Sequence, residues 1–136
     1  MKIKAIGFDI GGTLVNYNKP LNWSASYQDA LQFMCKENQI KYTEEILEFC
    51  KNKDIKCAVY TDVAYGIGDE FSLKDIEEIK DYIDLKLTSE NVGYRKLNSK
   101  GFKMMLDKFE CNSDEMLYIG DEEKDIKGAK SVNVKS

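Results

Sequence analysis

Histidine is absent from all 136 residues, and that one absence removes several chemistries together. A Ser-His-Asp triad, a Cys-His pair, a histidine-ligated zinc and an imidazole general base are all excluded. Any reaction here must run on carboxylates, hydroxyls, thiols, lysines and backbone groups. Proline is almost missing too: Pro20 is the only one, and no Pro/Gly/Ser-rich linker divides the chain. The four cysteines, Cys35, Cys50, Cys57 and Cys111, make no CxxC pair. Neither a thiolate zinc site nor a disulfide framework is indicated, and Cys35, Cys50 and Cys57 read as small core residues within apolar patterns. Positive charge is in deficit, 20 basic against 24 acidic residues. The lysines are interleaved with acids, as in Glu77-Glu78-Ile79-Lys80-Asp81, which is the pattern of solvated helix surface and argues against nucleic acid as a partner. No apolar run reaches transmembrane length, and Met1-Lys2-Ile3-Lys4 leads into a strand without a signal peptide's apolar stretch. The expectation is a protein of the cytoplasm with no membrane contact.

What is present is enough for a core. With 43% hydrophobic and 11% aromatic residues, a chain of this length folds as one domain, residues 1–136, without staples. Four segments read as strands: Ile3 to Ile10, Cys57 to Thr61, the weaker Leu85-Lys86-Leu87, and Met116 to Ile119. The first, second and fourth are apolar nearly throughout, as strands covered on both faces are, while Leu85-Lys86-Leu87 alternates. Helical patterns lie between them. Ser26 to Asn38 places Tyr27, Ala30, Leu31 and Met34 on one face. Thr43 is placed to cap a helix, with Glu44 and Glu45 in its first turn and Ile46, Leu47, Phe49 and Cys50 inward. Ser72-Leu73-Lys74-Asp75 reads as a capping box ahead of Ile76, Ile79 and Ile83, and Ser99 precedes the stripe Phe102, Met105, Leu106, Phe109. A short last helix begins near Asp125. Strands alternating with helices predict an α/β fold, a doubly wound, Rossmann-like parallel sheet flanked by helices. In such sheets ligands bind beyond the carboxyl ends of the strands.

The residues at those ends form a chemical set. Asp9 follows the first strand and precedes Gly11-Gly12, a loop on which backbone can approach a ligand closely. Thr61 and Asp62 end the second strand with a hydroxyl and amides. Lys96 comes from a loop before a helix, and Asp121 and Asp125 lie four apart at a helix start. Carboxylates offer hard oxygens for Mg²⁺, while a hydroxyl, an ammonium and amides are donors for phosphate oxygens.

These segments resemble the haloacid dehalogenase superfamily of aspartate-nucleophile hydrolases. Phe8-Asp9-Ile10-Gly11-Gly12-Thr13-Leu14 is similar to its first motif and Val59-Tyr60-Thr61-Asp62 to its second. Lys96 in Tyr94-Arg95-Lys96-Leu97 is similar to the third, where proline commonly follows the lysine, and Gly120-Asp121 with Asp125 and Gly128-Ala129 to the fourth. The likeness runs from Ile3 to Ala129. It implies that Asp9, Thr61 and Lys96 are catalytic: Asp9 attacks phosphorus to form an aspartyl-phosphate, while Thr61 and Lys96 hold phosphoryl oxygens. It implies phosphate binding by Gly11, Gly12, Thr61, Asp62 and Lys96. The implied cofactor is Mg²⁺, held by Asp9, the Gly11 carbonyl, Asp121 and Asp125, the last directly or through water. The implied partner is a phosphorylated small molecule or macromolecule.

Two features depart from the pattern. Phosphatases of this superfamily carry a second Asp two residues after the nucleophile as general acid and base, and here that position is Gly11. Three readings follow: a leaving group good enough to need no acid, as in an acyl phosphate; a substitute such as Tyr17 or Asp62; or a weak or inactive module that binds phosphorylated ligands. The cap-like insert, about Asn16 to Tyr42, has room for one helix, with Tyr17, Trp23 and Tyr27 on or near it. Such a short insert suits bulky substrates or a homo-oligomer in which a neighbour supplies the lid. Family members continue with a further strand after the last helix, which Val132 and Val134 would begin. A phospho-accepting receiver domain uses similar residues, but it needs adjacent acids after the first strand, where this chain has Gly11-Gly12 behind Asp9.

Overall fold

The computed structural model describes residues 2–14 and 37–136. The apolar runs become four strands, β1 (Ala5–Phe8), β2 (Lys56–Thr61), β3 (Leu85–Thr88) and β4 (Met116–Ile119). They form one parallel sheet in the order β3-β2-β1-β4. Phe8 is opposite Val59 on one side and Ile119 on the other, so β1, β2 and β4 present their carboxyl ends together. The expected α/β sheet is present. Strand order also reverses at β1, since β2 and β3 extend to one side of it and β4 to the other. A crevice for ligands opens at such a reversal, between the ends of β1 and β4.

The connecting segments are α1 (Glu37–Asn52), the single turn α2 (Asp69–Ser72), a 3₁₀ helix (Lys74–Tyr82), the single turn α3 (Ser89–Val92), α4 (Lys100–Lys108), a 3₁₀ turn (Ser113–Glu115) and α5 (Glu123–Ser131). Side chains alternate across each strand and divide the interior into two layers. One holds Ala5, Ala58, Tyr60, Met116 and Tyr118 against Phe102 and Met105 of α4 and Ala129 of α5. The other holds Phe8, Cys57 and Val59 against Leu47 and Cys50 of α1 and Ile76 and Ile79 of the 3₁₀ helix. Beyond α5 the chain returns to the sheet: the Tyr118 amide donates to the Lys135 carbonyl at 2.8 Å, with Val132 and Val134 buried beside it. Val132 and Asn133 form the turn after α5, and in place of the expected strand a single parallel bridge, Lys135 with Leu117, meets β4.

Three local expectations are corrected. Thr43 does not start a helix, because α1 is already under way from Glu37. Its hydroxyl donates to the buried Leu14 carbonyl at 2.8 Å, a tertiary partner that overrides the local capping signal. Ile46 and Phe49 do not point inward but are 52% and 58% exposed. The buried stripe is Thr43, Leu47 and Cys50, at i, i+4 and i+7, and Ile46 and Phe49, at i+3 and i+6, fall to one side of it, roughly 60° and 120° round the helix. Ser72 does not cap the segment after it, since its hydroxyl donates to the Gly68 carbonyl at 3.1 Å. That segment is a 3₁₀ helix without a side-chain cap. Ile76 and Ile79 are buried all the same, because a three-residue spacing is also the 3₁₀ repeat. The last helix starts two residues before Asp125, at Glu123. Cys50 and Cys57 are buried free thiols, and burial pushes the Cys57 thiol far up, with Cys50 adding to it. Cys35, Tyr17, Trp23, Tyr27 and the insert up to residue 36 lie outside the described residues. Among the described residues, no helix is long and apolar enough to cross a membrane.

Candidate active site

Asp9 sits where the strand order reverses. Its amide donates to the Ile119 carbonyl at 2.9 Å, which pins the residue after β1 to the end of β4. The chain then turns back at once, with the Thr13 and Leu14 amides both donating to the Ile10 carbonyl. Gly12 makes that turn at φ +80°, a conformation open to glycine and strained for other residues. The turn also lies directly on Asp121: a Cβ on Gly12 would come within 2.8 Å of the Asp121 carboxyl carbon. Gly12 is thus what lets the loop after β1 meet the loop after β4.

Asp121 and Asp125 reach the same place from β4 and α5. Asp125 lies in the first turn of α5, where its Oδ2 accepts from the Glu122 amide at 3.0 Å. Its Oδ1 faces inward and accepts from Lys96 Nζ at 2.8 Å and from the Tyr118 hydroxyl at 3.3 Å. One oxygen thus closes the first turn of α5 while the other meets Lys96 and Tyr118. Gly120 makes room for it, since a Cβ there would overlap the Asp125 side chain. Oxygens of Asp9, Asp121 and Asp125 all lie within 4.8 Å of one another.

Lys96 is brought in by the loop that leaves α3 through Gly93, at φ +88°. Among its neighbours Tyr94, Arg95 and Leu97 are exposed, yet Lys96 is 1% exposed. Nζ pairs with Asp9 Oδ1 at 2.5 Å and with Asp125 Oδ1 at 2.8 Å. It stands 5.8 Å from the centre of the Tyr60 ring and 6.0 Å from that of Tyr118. Gly128 of α5 lets this loop close in, because a Cβ there would collide with the Lys96 carbonyl.

Electrostatics follow from a count. Three carboxylates, Asp9, Asp121 and Asp125, surround one ammonium, Lys96. When all are ionised, two negative charges stand uncompensated in a half-buried crevice. Burial accordingly pushes the Asp9 carboxyl up to about 7, although Lys96 acts against it, and Asp121 and Asp125 push further in the same direction. A divalent cation bound by oxygen would cancel that excess. The donor set fits one: three converging carboxylates, with no histidine or thiol among them, suit a hard ion such as Mg²⁺.

The remaining expected residues are placed as follows. Thr61 ends β2 at the same edge, half-buried, its hydroxyl 3.4 Å from the Asp62 carbonyl. Gly11 and Gly12 belong to the loop between Asp9 and Asp121. The Asp62 carboxylate turns inward: Oδ1 accepts from the Lys96 amide at 3.1 Å, and Oδ2 pairs with Lys124 at 3.1 Å and with Arg95 at 3.6 Å. Sequence reasoning missed Tyr60 and Tyr118, which wall the Lys96 ammonium. Their signal was period-two alternation, since each stands on the same strand face as its neighbour two residues before, Ala58 and Met116.

Residues 22–136 match a family described as haloacid dehalogenase-like hydrolases. The matched span starts after β1, so Asp9 precedes it. No curated protein matches the sequence. Solved structures do match in fold. One is a haloacid dehalogenase-superfamily hydrolase, subfamily IA, variant 1, from Geobacter sulfurreducens, at TM-score 0.73 and 16% identity, covering 97% of this chain and 86% of that one. Another is a protein described as a predicted phosphoglycolate phosphatase from Haemophilus somnus, at TM-score 0.71 and 20% identity, covering 98% and 84%. A hydrolase from Streptococcus pneumoniae follows at TM-score 0.67 and 18% identity, covering 99% and 91%. At these identities the likeness is one of fold.

Proposed function

Because this chain belongs to the haloacid dehalogenase-like hydrolase family, we propose that it hydrolyses phosphate monoesters, with Mg²⁺, through an aspartyl-phosphate on Asp9. The observation that carries the proposal is the convergence of Asp9, Asp121, Asp125 and Lys96 at the point where strand order reverses. A protein described as a phosphoglycolate phosphatase among the fold neighbours points the same way. The substrate is a phosphorylated small molecule or a phosphorylated macromolecule.

Lys96 holds one oxygen of Asp9, and the other oxygen attacks phosphorus. The P–O bond to the leaving group breaks as the Asp9–phosphorus bond forms, and the leaving oxygen departs with the bonding pair. Water then cleaves the acyl phosphate, returning Asp9 and releasing inorganic phosphate. Thr61, Lys96 and the amides of Gly11, Gly12 and Asp62 are the donors for phosphoryl oxygens, set in advance where charge develops. Asp9, the Gly11 carbonyl and Asp121 would hold the cation, with Asp125 directly or through water. When bound, Mg²⁺ supplies the positive charge that keeps Asp9 ionised and offsets charge on the phosphoryl group.

A second reading is favoured by one residue. Gly11 offers no side chain where a general acid would stand, and general acid–base help is typically worth ~10²–10⁴ in rate. Substrates with a good leaving group, such as acyl phosphates, need no such help. A chain that lacks it altogether would be a weak or inactive binder of phosphorylated ligands.

Hydrolysis of an activated aryl phosphate, with and without Mg²⁺, tests both on wild type and Asp9→Asn. Metal-dependent turnover that disappears in Asp9→Asn is expected. Turnover unchanged by Asp9→Asn overturns the nucleophile, and no turnover from folded wild-type protein favours the binding module.

A further inference from the structure

Asp62 is one residue past the β2 strand end, in a position where a side chain has a free choice of facing solvent. Its side chain is instead only 4% exposed. A carboxylate taken this far out of water is costly to the fold unless its oxygens are satisfied. They are satisfied by two separate segments. Oδ1 accepts from the backbone amide of Lys96, 34 residues away, at 3.1 Å. Oδ2 pairs with Lys124 of α5, 62 residues away, at 3.1 Å, and with Arg95 at 3.6 Å. Lys124 also pairs with Glu122 at 3.0 Å, the residue that caps α5 and whose amide binds Asp125. Burial pulls the Lys124 ammonium down, but Glu122 and Asp62 together outweigh it and raise it.

We infer that Asp62 is a positioning residue: its carboxylate ties the Lys96 backbone to the first turn of α5 and so sets where the Lys96 ammonium stands between Asp9 and Asp125. The Tyr60 hydroxyl also holds the Lys96 loop, donating to the Tyr94 carbonyl at 3.1 Å, as does Arg95, donating to the Val63 carbonyl at 3.4 Å. The Asp62 bond is the one made to the backbone amide of the lysine itself. Its neighbours Tyr94, Arg95 and Leu97 are exposed, and it is reached through a left-handed glycine. The Oδ1 bond fixes the backbone at the lysine itself, the Oδ2 pair with Arg95 holds the same loop, and the Oδ2 pair with Lys124 fixes the helix that carries Asp125. Asp62 is also ruled out as the proton donor that Gly11 lacks, because both of its oxygens are engaged within this tether. The inference rests on the functional reading above for its effect on catalysis, while the tether itself is independent of that reading.

The test has an activity arm and an activity-free arm. Asp62→Ala removes both legs, and Asp62→Asn keeps an acceptor for the Lys96 amide but loses the charge opposite Lys124 and Arg95. On an activated aryl phosphate with Mg²⁺, Asp62→Ala lowers kcat roughly 10- to 100-fold with KM nearly unchanged, since a small misplacement of a reacting group has an effect of this order. Asp62→Asn recovers most of that loss. In parallel, hydrogen exchange is followed at the Lys96 amide in metal-free protein. Slow exchange in wild type and in Asp62→Asn, with fast exchange in folded Asp62→Ala, is expected. Fast exchange at Lys96 in wild type overturns the tether without any variant, so the question stays open to refutation even if Asp62→Ala fails to fold. An Asp62→Ala protein with wild-type kcat overturns the positioning role. Wild-type protein that is inactive but slow to exchange at Lys96 overturns the phosphohydrolase reading and leaves the tether standing.

Discussion

Replacing Lys96 by methionine removes a charge while keeping a chain of similar length. Lys96 is 1% exposed and its ammonium contacts Asp9 at 2.5 Å and Asp125 at 2.8 Å. Both carboxylates are buried, Asp9 at 6% and Asp125 at 1% exposure. Breaking a buried pair by deleting one partner costs about 3–5 kcal/mol, because the other charge is stranded. Here two are stranded beside the Asp121 carboxylate. At about 4 °C per kcal/mol for a domain of this size, the melting temperature falls by about 12–20 °C. The sign of the pH dependence follows from the same charges. A buried carboxylate without its cation prefers to be protonated, so the loss is largest above pH 7 and shrinks as acid neutralises the cluster. Mg²⁺ should restore part of it at high pH. Thermal melts followed by circular dichroism at pH 5 and pH 8, each with Mg²⁺ or with chelator, read all of these. A Lys96→Met protein as stable as wild type at pH 8 in chelator would refute the reasoning, since two stranded charges would then have cost nothing.

The metal-free wild type carries a milder form of the same dependence. The Asp9 carboxyl is raised from 3.8 to about 7, chiefly by burial, so the folded chain binds more protons than the unfolded one between those values. Stability should therefore fall as pH rises through that window, and the Mg²⁺-induced rise in melting temperature should fade below pH 5; melts across pH 4 to 8 check this. Gly12→Ala forces a side chain onto a backbone at φ +80° and against the Asp121 carboxylate. A stability loss of about 1–3 kcal/mol and a clear loss of Mg²⁺ affinity are expected by denaturant titration and calorimetry. Thr43→Val leaves the buried Leu14 carbonyl without its donor. Chemical denaturation should show a loss of about 1–3 kcal/mol.

The central strands were legible in the sequence because they are largely buried on both faces, as the run Cys57 to Tyr60 is, whereas the edge strand β3 keeps a half-buried Lys86 and gave a weaker, alternating signal. Site positions were legible because a parallel sheet puts strand-end residues side by side, which located Asp9, Thr61 and Asp121 at one edge. What the sequence hid depends on long-range partners. Thr43 looked like a cap because its acceptor, Leu14, is 29 residues away. That the Asp62 carboxylate faces Lys96 and Lys124 could not be read from the sequence, because those partners are 34 and 62 residues away. Lys96 itself was one of several lysines in its stretch, with Lys100 and Lys103 close by. Only burial separates it from them, for Lys100 and Lys103 are exposed.

The ion pair between Lys96 and Asp9 spans 87 positions of the chain, and Asp121 and Asp125 come later still. Closing loops that long is the slow part of folding a parallel sheet, because the entropy of closure is lost before the contacts form. β1 also cannot gain its second neighbour until β4 has been made. During synthesis, then, a ribosome-bound chain holds Asp9 for most of its growth without any of its three partners. The carboxylate triad assembles only when β4 docks beside β1, so a cation bound there would report that the earliest and latest strands of the sheet are paired.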